Sequence, residues 1–145
     1  MATDPNYLRD VDCFRDLSDE QLESLAQITN AICYLPGHTL FEENKPGKRL
    51  FFLVKGDVEV FYQIGEAGQV HVDTISGEEI AGCSALIEPY VYTASERCLT
   101  EVEVLEIDAE ALRNLMQEDL SLGFAIQQRM IALLMDRITN FRLES

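Results

Sequence analysis

The middle of the chain consists of short segments rich in β-branched and aromatic residues, and this pattern restricts the fold more strongly than any other feature. Each segment ends at or near Gly, Pro, Asn or Asp, and together they occupy 31–35, 39–42, 49–54, 57–64, 69–75, 91–98 and 101–107. Short strands at such regular spacing are typical of an antiparallel sandwich or barrel. Polar and apolar residues largely alternate in 57–62 and 70–74, which predicts strands with one buried face and one face in water. The Gly-Glu-Ala-Gly segment at 65–68 predicts the hairpin turn between them.

Helix signals precede this β-rich region. Apolar residues at helical spacing in 6–17 predict a short amphipathic opening helix. Ser18 and Gln21 form a capping-box pattern, in which each side chain bonds the backbone N–H of the other residue. The pattern predicts a second helix that extends through about Thr29.

Helix signals also follow the β-rich region. Asp108 is a suitable N-cap for a helix from Ala109 to about Gln117, and a long helix should run from about Leu120 to Leu143. We therefore expect a mainly β fold with flanking helices, an antiparallel β-roll or double-stranded jelly roll. The expected single domain, residues 1–145, divides into N-terminal helices (6–30), a β-roll (31–107) and C-terminal helices (108–143).

Charge and hydropathy exclude several classes of function. The 145 residues include 11 Lys or Arg and 26 Asp or Glu, which gives a net charge of −15. Proteins that hold DNA or RNA need clustered Lys and Arg for the phosphates, so we expect no nucleic-acid partner. No apolar run approaches the ~18 residues of a membrane span, and the N-terminus lacks the features of a secretory signal. We expect a cytoplasmic protein without a membrane partner.

The cysteines and histidines do not indicate a metal or catalytic site. The four cysteines are widely spaced, at Cys13, Cys33, Cys83 and Cys98. A zinc site needs closely spaced ligand pairs, and a cytosolic protein keeps its thiols reduced. The two histidines lie outside any recognisable nucleophile motif, so we expect no catalytic residue, no metal and no cofactor.

Two neighbouring stretches carry a family resemblance. The first reads Leu-Pro-Gly-His-Thr-Leu-Phe-Glu-Glu-Asn at 35–44, and the second reads Leu-Phe-Phe-Leu-Val-Lys-Gly-Asp-Val-Glu-Val at 50–60. This order is similar to Gly-x-x-Leu/Ile-x-x-Glu-Gly followed by an aliphatic run and x-Gly-x-Val-x-Val. The chain thereby resembles the cyclic-nucleotide-binding domain of the catabolite-activator and protein-kinase-regulatory-subunit superfamily. Asn44 stands where the family often has Gly, and Asn also tolerates a positive φ.

The resemblance implies that a strand–turn–helix–strand cassette, here 76–98, holds a ligand. In the family a Glu binds the ribose hydroxyl and an Arg makes charge-assisted bonds to the cyclic phosphate. The alignment puts Gly82 and Tyr92 at these two positions, so both polar anchors are replaced. Arg97 matches a second, downstream Arg that family members often carry for structural reasons. The candidate pocket residues are Ile80, Ala81, Gly82, Cys83, Ser84, Ala85, Tyr92, Thr93, Ala94 and Arg97.

These replacements argue against ordinary cyclic nucleotide binding. A buried phosphate monoanion without a cation is costly, and Arg97 is the only Lys or Arg in the β-rich region after Lys55. One hypothesis is a non-catalytic sensor for a less charged small molecule, held by Tyr92, Thr93, Ser84 and nearby backbone amides. A second is that Tyr92 fills the pocket and leaves a structural interaction module. Genuine binding of cyclic AMP or cyclic GMP is the third.

Two further alternatives follow from single residue types. Cys83 lies in the cassette and suggests a redox sensor, although no Lys, Arg or His adjoins it in sequence to activate the thiol. A cupin-like metalloenzyme would share a related β-roll. It needs a His-x-His cluster, whereas His38 and His71 each lie alone.

The terminal helix carries two apolar stripes. One comprises Phe124, Ile131, Leu134, Ile138 and Phe141, and the other comprises Ile126, Met130 and Leu133. One stripe can cover the β-roll and the pocket mouth, and the other would stay exposed in a monomer, as at an interface. We expect a homodimer through this helix, as in family members, and the alternative is that one wide face packs on the barrel. No DNA-binding domain follows before Ser145, so we expect output through the dimer or a protein partner.

Overall fold

The structure, a computed structural model, describes residues 3–144 and the side chains of residues 3–140. The helices are α1 (Pro5–Arg9), α2 (Asp19–Ala26), α3 (Ala109–Glu118) and α4 (Leu120–Glu144). The strands are β1 (Thr29–Tyr34), β2 (Thr39–Phe41), β3 (Arg49–Lys55), β4 (Asp57–Ile64), β5 (Gly68–Ser76), β6 (Ile80–Ala81), β7 (Ser95–Cys98) and β8 (Val102–Asp108). Single 3-10 turns form at Asp12–Phe14, Gly65–Ala67 and Cys83–Leu86.

The strands form two antiparallel sheets of four, in the orders β1-β8-β3-β6 and β2-β7-β4-β5. In the first sheet Leu50 of β3 pairs with Ile107 of β8, and in the second Val60 of β4 pairs with Glu96 of β7. Most successive strands lie in opposite sheets, so the chain winds back and forth between the two layers. The predicted antiparallel β-roll with flanking helices is confirmed.

Strand β3 is buried on both faces and joins the two cores. Leu50 and Phe52 pack with side chains from the helices, whereas Phe51 and Leu53 pack with residues of both sheets. A strand covered on both faces needs a continuous apolar run rather than an alternating one. This requirement explains the Leu-Phe-Phe-Leu sequence at 50–53.

The β4–β5 hairpin departs from the predicted alternation. Val58 and Phe61 of β4 are buried, as expected for one inward face. In β5, however, Val70 and Val72 are exposed, and Ile75 near its end is buried. The reason is that β5 lies at the edge of its sheet, and Val70 pairs with a part of β4 that extends past the end of β7. The prediction of one buried face is therefore wrong for most of β5.

The N-terminal helices are shorter than predicted. The expected helix over 6–17 is instead α1, capped by the Asp4 side chain, followed by the separate 3-10 turn at Asp12–Phe14. The capping box is confirmed, since Gln21 N–H donates to Ser18 Oγ (3.1 Å) and Ser18 N–H donates to Gln21 Oε1 (2.9 Å). The helix ends at Ala26 rather than near Thr29, because Thr29 already pairs with Ile107 as the first residue of β1.

Local signals fix the other end of the chain more accurately. Ala111 N–H donates to the Asp108 carboxylate (2.8 Å), which confirms Asp108 as the cap of α3. The long final helix is also confirmed. Within the cassette the two-residue strand β6 was not predicted, and the predicted strand 91–98 forms regular structure only from Ser95 onward within the described residues.

Candidate ligand-binding site

A cavity of about 540 Å³ opens between the β2-β7-β4-β5 sheet, the turn that follows β6 and helix α4. Its apolar wall consists of Phe41, Val60, Tyr62, Val72 and Ile138. Its polar groups come from Asp73, Ser84, Thr93, Glu96 and Arg137. Pockets for small molecules span about 300–1,000 Å³ and are mostly apolar with a few placed polar groups, so this cavity has the size and character of a ligand site.

The structure brings half of the predicted pocket residues to this cavity. Gly82, Cys83, Ser84, Thr93 and Ala94 line it. By contrast, Ile80, Ala81 and Ala85 are buried in the two cores and contribute packing behind the wall. The cassette therefore lines the cavity with two segments only, the turn at 82–84 and the two residues that precede β7.

Gly82 occupies a position that disfavours any side chain. Its backbone is left-handed (φ +79°), a conformation that L-residues with a side chain rarely adopt. A Cβ there would lie 3.2 Å from both the Arg49 carbonyl oxygen and the Tyr92 ring. Any side chain at this position would therefore be strained and would crowd its neighbours.

Tyr92 does not line the cavity but lies behind its wall and leaves the cavity open. Its side chain is buried, its O–H donates to the Arg49 carbonyl (2.7 Å) and its oxygen accepts from the Arg49 N–H (3.0 Å). The ring stacks on Phe41 with centroids 4.2 Å apart, and Phe41 in turn faces the cavity. The aromatic pair therefore forms a flat, rigid floor beside the open space.

Arg97 does not line the cavity, contrary to its place among the candidate pocket residues. Its Nη2 donates to Glu59 Oε1 (2.5 Å), and its guanidinium lies 4.5 Å from the centre of the Phe61 ring. The bond from Arg97, with a second from His71, lowers the pKa of Glu59. Successive residues of a strand face opposite sides, so the side chain that β7 directs toward the cavity is that of Glu96.

Glu96 is a functional candidate that the sequence analysis missed. The residue is 6% exposed, and its Oε1 has no hydrogen-bond partner among the described residues. Burial raises the pKa of Glu96 to about 8, and the nearby positive charge of Arg137 opposes this only in part. The residue therefore presents a neutral carboxylic acid to the cavity at neutral pH. Period-two spacing from Ala94 was the signal that could have identified it.

Arg137 supplies a cation from outside the cassette and was also missed. Its Nη2 donates to Glu79 Oε2 (2.8 Å) and to the Ile80 carbonyl (2.6 Å), which ties α4 to the start of the cassette. Its buried Nε has no partner within the part of the chain that the structure describes. The residue continues the apolar stripe Met130 and Leu133 at helical spacing, and this was the available signal.

The cassette cysteine and the histidines show no activated chemistry. Burial raises the pKa of the Cys83 thiol, which opposes the thiolate that a redox sensor needs. His38 stacks on Tyr34, and His71 Nδ1 lies 2.9 Å from Glu59 Oε2. Among the side chains that the structure describes, no three from His, Cys, Asp or Glu are grouped so as to hold a metal ion.

Comparison with known proteins identifies the family. The family model for the cyclic nucleotide-binding domain matches residues 31–119, which cover the β-roll, the cassette and α3. The chain belongs to the cyclic nucleotide-binding domain family. Domains of this family are regulatory modules that bind cyclic nucleotides and are often dimeric or linked to output domains.

Relatives of this cyclic nucleotide-binding domain include regulators and kinases. The chain is 28% identical over 102 residues to the CRP-like cAMP-activated global transcriptional regulator of Mycobacterium tuberculosis, covering 70% of this chain and 45% of that protein. It is 28% identical over 113 residues to the cGMP-dependent protein kinase egl-4 of Caenorhabditis elegans, covering 77% of this chain and 14% of the kinase. A candidate cyclic nucleotide-binding protein from Geobacter metallireducens GS-15 is 32% identical, with a TM-score of 0.84 and 94% and 98% of the two chains covered.

Helix α4 of the domain has one buried and one exposed apolar stripe. Ile126 and Met130 are buried against the helical core, and Leu133 packs partly against it. On the other side Phe124 is 66% exposed and Ile131 is 56% exposed, with Ile138 also exposed and Leu134 half-buried. Phe141 lies outside the residues whose side chains the structure describes. No helix within residues 3–144 is long and apolar enough to span a membrane.

Proposed function

We propose that this domain is a non-catalytic regulatory module whose cavity binds a small molecule less charged than a cyclic phosphate. The observation that carries the proposal is the open cavity of about 540 Å³, which has a buried carboxyl group on its polar wall. The domain occupies residues 1–145 in this proposal, acts in the cytoplasm and signals through its dimer or a protein partner. The two anchor positions expected to bind ribose and phosphate hold Gly82 and Tyr92.

The charges around the cavity disfavour a phosphate. Arg137 is the one Lys or Arg among its lining residues in the described part of the chain, and it already forms an ion pair with Glu79. The carboxylate of Asp73 faces the same space. A phosphate placed there would lose its hydration and meet a cation whose charge is largely balanced, which is an unfavourable exchange.

We expect cyclic AMP and cyclic GMP to bind with Kd values of about 1 mM or weaker, because loss of an Arg–phosphate contact costs about 2–5 kcal/mol. Isothermal titration calorimetry at pH 7 measures this directly. Saturable micromolar binding of either nucleotide would overturn the phosphate argument. Arg137→Gln then serves as the control variant, since binding that depended on Arg137 as the phosphate partner would be lost in it.

We also propose a two-fold homodimer formed by the predicted stripe of α4, namely Phe124, Ile131, Leu134, Ile138 and Phe141, of which Phe124, Ile131 and Ile138 are exposed. Large apolar side chains exposed along one helix usually mark an interface. Phe124, Ile131 and Leu134 of the stripe border a groove of about 630 Å³. Leu86, Ile87 and Met116 also line this groove, which gives the partner helix a surface to pack against. The membership of the chain in a family that is often dimeric supports the same arrangement.

We expect Ile131→Glu to convert the dimer to a monomer at micromolar concentrations, because the substitution buries a charge in the interface. Sedimentation velocity measures the change. The control is Ala132→Glu, which adds the same charge at an exposed position about 100° around the helix. A monomeric wild-type protein, or an Ile131→Glu variant that remains dimeric, would contradict this interface.

A further inference from the structure

We propose that Glu96 and Arg137 form the recognition end of the cavity for an uncharged, planar heterocycle that carries no phosphate. The heterocycle would present an N–H donor beside an acceptor, as an amide or amidine edge does. This inference rests on the proposed function and names the chemical class of its ligand. It is argued from the two unsatisfied polar groups, the walls and the charges of the cavity.

The unsatisfied carboxyl group is the first observation. Glu96 is 6% exposed, projects from β7 into the cavity and leaves Oε1 without a hydrogen bond among the described residues. A buried acceptor left unpaired costs about 1–3 kcal/mol. A ligand N–H that donates to this oxygen removes that cost, which makes the group a strong point of recognition.

The unsatisfied guanidinium nitrogen is the second observation. Two hydrogen bonds from Nη2 of Arg137 to Glu79 and the Ile80 carbonyl hold the guanidinium in place, and its buried Nε–H remains unpaired in the described structure. Arg137 is close enough to Glu96 for its charge to act on that carboxyl group. Glu96 and Arg137 both line the cavity and bring to it one unpaired acceptor and one unpaired donor among the described residues, which an amide or amidine edge complements.

The walls select for a flat molecule. Phe41 faces the cavity, and the Tyr92 ring stacked behind it at 4.2 Å keeps it rigid. Tyr62, Val72 and Ile138 supply further apolar surface around the same space. Aromatic surfaces bind planar rings by offset stacking, so the cavity matches a heterocycle better than a flexible chain.

The charges select for a neutral molecule. Burial raises the pKa of Glu96 to about 8, so the carboxyl group is mostly protonated at pH 7 and both donates and accepts. The charged groups that act on it are Arg137 from α4 and Asp73 from β5. Because Arg137 is already balanced by Glu79, the cavity has no net positive charge for an anion.

The test compares inosine with 1-methylinosine, which differs by a methyl group in place of the ring N–H donor. Calorimetry at pH 6.5, where Glu96 is protonated, should show inosine binding at least about tenfold more tightly, a difference of about 1.4 kcal/mol. Glu96→Val should weaken inosine binding by at least about tenfold and remove the preference between the two nucleosides. Glu96→Gln should retain binding because its amide keeps one donor and one acceptor.

Glu66→Val is the matched control, since Glu66 is exposed in the hairpin turn and should leave inosine binding unchanged. Equal affinities for the two nucleosides, or full affinity for inosine in Glu96→Val, would show that the cavity binds a ligand without a hydrogen bond to Glu96. Either result would overturn this inference and leave the proposed function standing. If neither nucleoside binds the wild-type protein, adenosine tests the amidine edge, and its failure also overturns the inference. The proposed function is tested separately by the methyl NMR signals of Val72 and Ile138, recorded with and without uncharged heterocycles. If these signals do not shift when the heterocycles are added, the proposed function fails as well.

Discussion

Glu96→Gln is expected to remove a pH-dependent loss of stability that amounts to about 3 kcal/mol between pH 4.5 and pH 7. The pKa of Glu96 rises from its usual 4.5 to about 8 because folding buries the carboxyl group. Between these values the folded protein holds a proton that the unfolded chain releases, so the free energy of unfolding falls as the pH rises. The slope is about −1.4 kcal/mol per pH unit, and it vanishes above about pH 8.

Urea denaturation at pH 4.5 to 9 measures this effect as the difference between the wild-type protein and Glu96→Gln. The subtraction cancels other groups, including Glu59, whose lowered pKa acts in the opposite direction at lower pH. Glu66→Gln, at an exposed position, should run parallel to the wild type across the whole range. Parallel curves for Glu96→Gln and wild type would mean that the Glu96 carboxyl group is ionised in the folded protein.

Tyr92→Ala is expected to lower the free energy of unfolding by about 4 kcal/mol, and Tyr92→Phe by about 2 kcal/mol. The larger loss includes the stacking on Phe41 and the cavity left by a buried ring. The smaller loss reflects the hydroxyl alone, because the Arg49 N–H and carbonyl both lose their bond to it. The two variants together separate packing from hydrogen bonding at this position.

Chemical denaturation of both variants gives the measurement, and Tyr62→Ala is the matched control. Tyr62 also borders the cavity but is 37% exposed, so its removal should cost about 1 kcal/mol or less. A Tyr92→Ala variant as stable as Tyr62→Ala would show that Tyr92 has no structural role in the wall. The cavity beside it would then have a different floor from the one described.

The fold could be predicted well because its signals are local. The capping box at Ser18 and the Asp108 cap each depend on residues three positions apart, and the long apolar periodicity of α4 needs no tertiary information. The predictions that failed concern elements whose structure depends on tertiary contacts. A two-residue strand such as β6 has no periodicity of its own, and the exposure of β5 follows from its place at a sheet edge.

The site was predictable only as far as the resemblance extended. The cassette directed attention to residues 80–85, 92–94 and 97, and half of this set lines the cavity. Arg97 was predicted to line the pocket, but its neighbour Glu96 does so instead, because successive residues of a strand face opposite sides. Helical spacing puts Arg137 on the same face of α4 as Met130 and Leu133, but its contact with the cassette depends on how α4 folds back over the sheet, which the sequence does not give.

The bonds from Arg137 have a mechanical consequence. They hold the C-terminal half of α4 against the cassette, at a point about 25 Å along the helix axis from Leu120 at 1.5 Å per residue. A molecule that drew this guanidinium toward itself would weaken its bonds to Glu79 and Ile80. The helix would then shift as a unit, because a continuous helix bends only gently over such a length. Binding in the cavity would thereby change the position of the exposed face of α4, where another protein could bind.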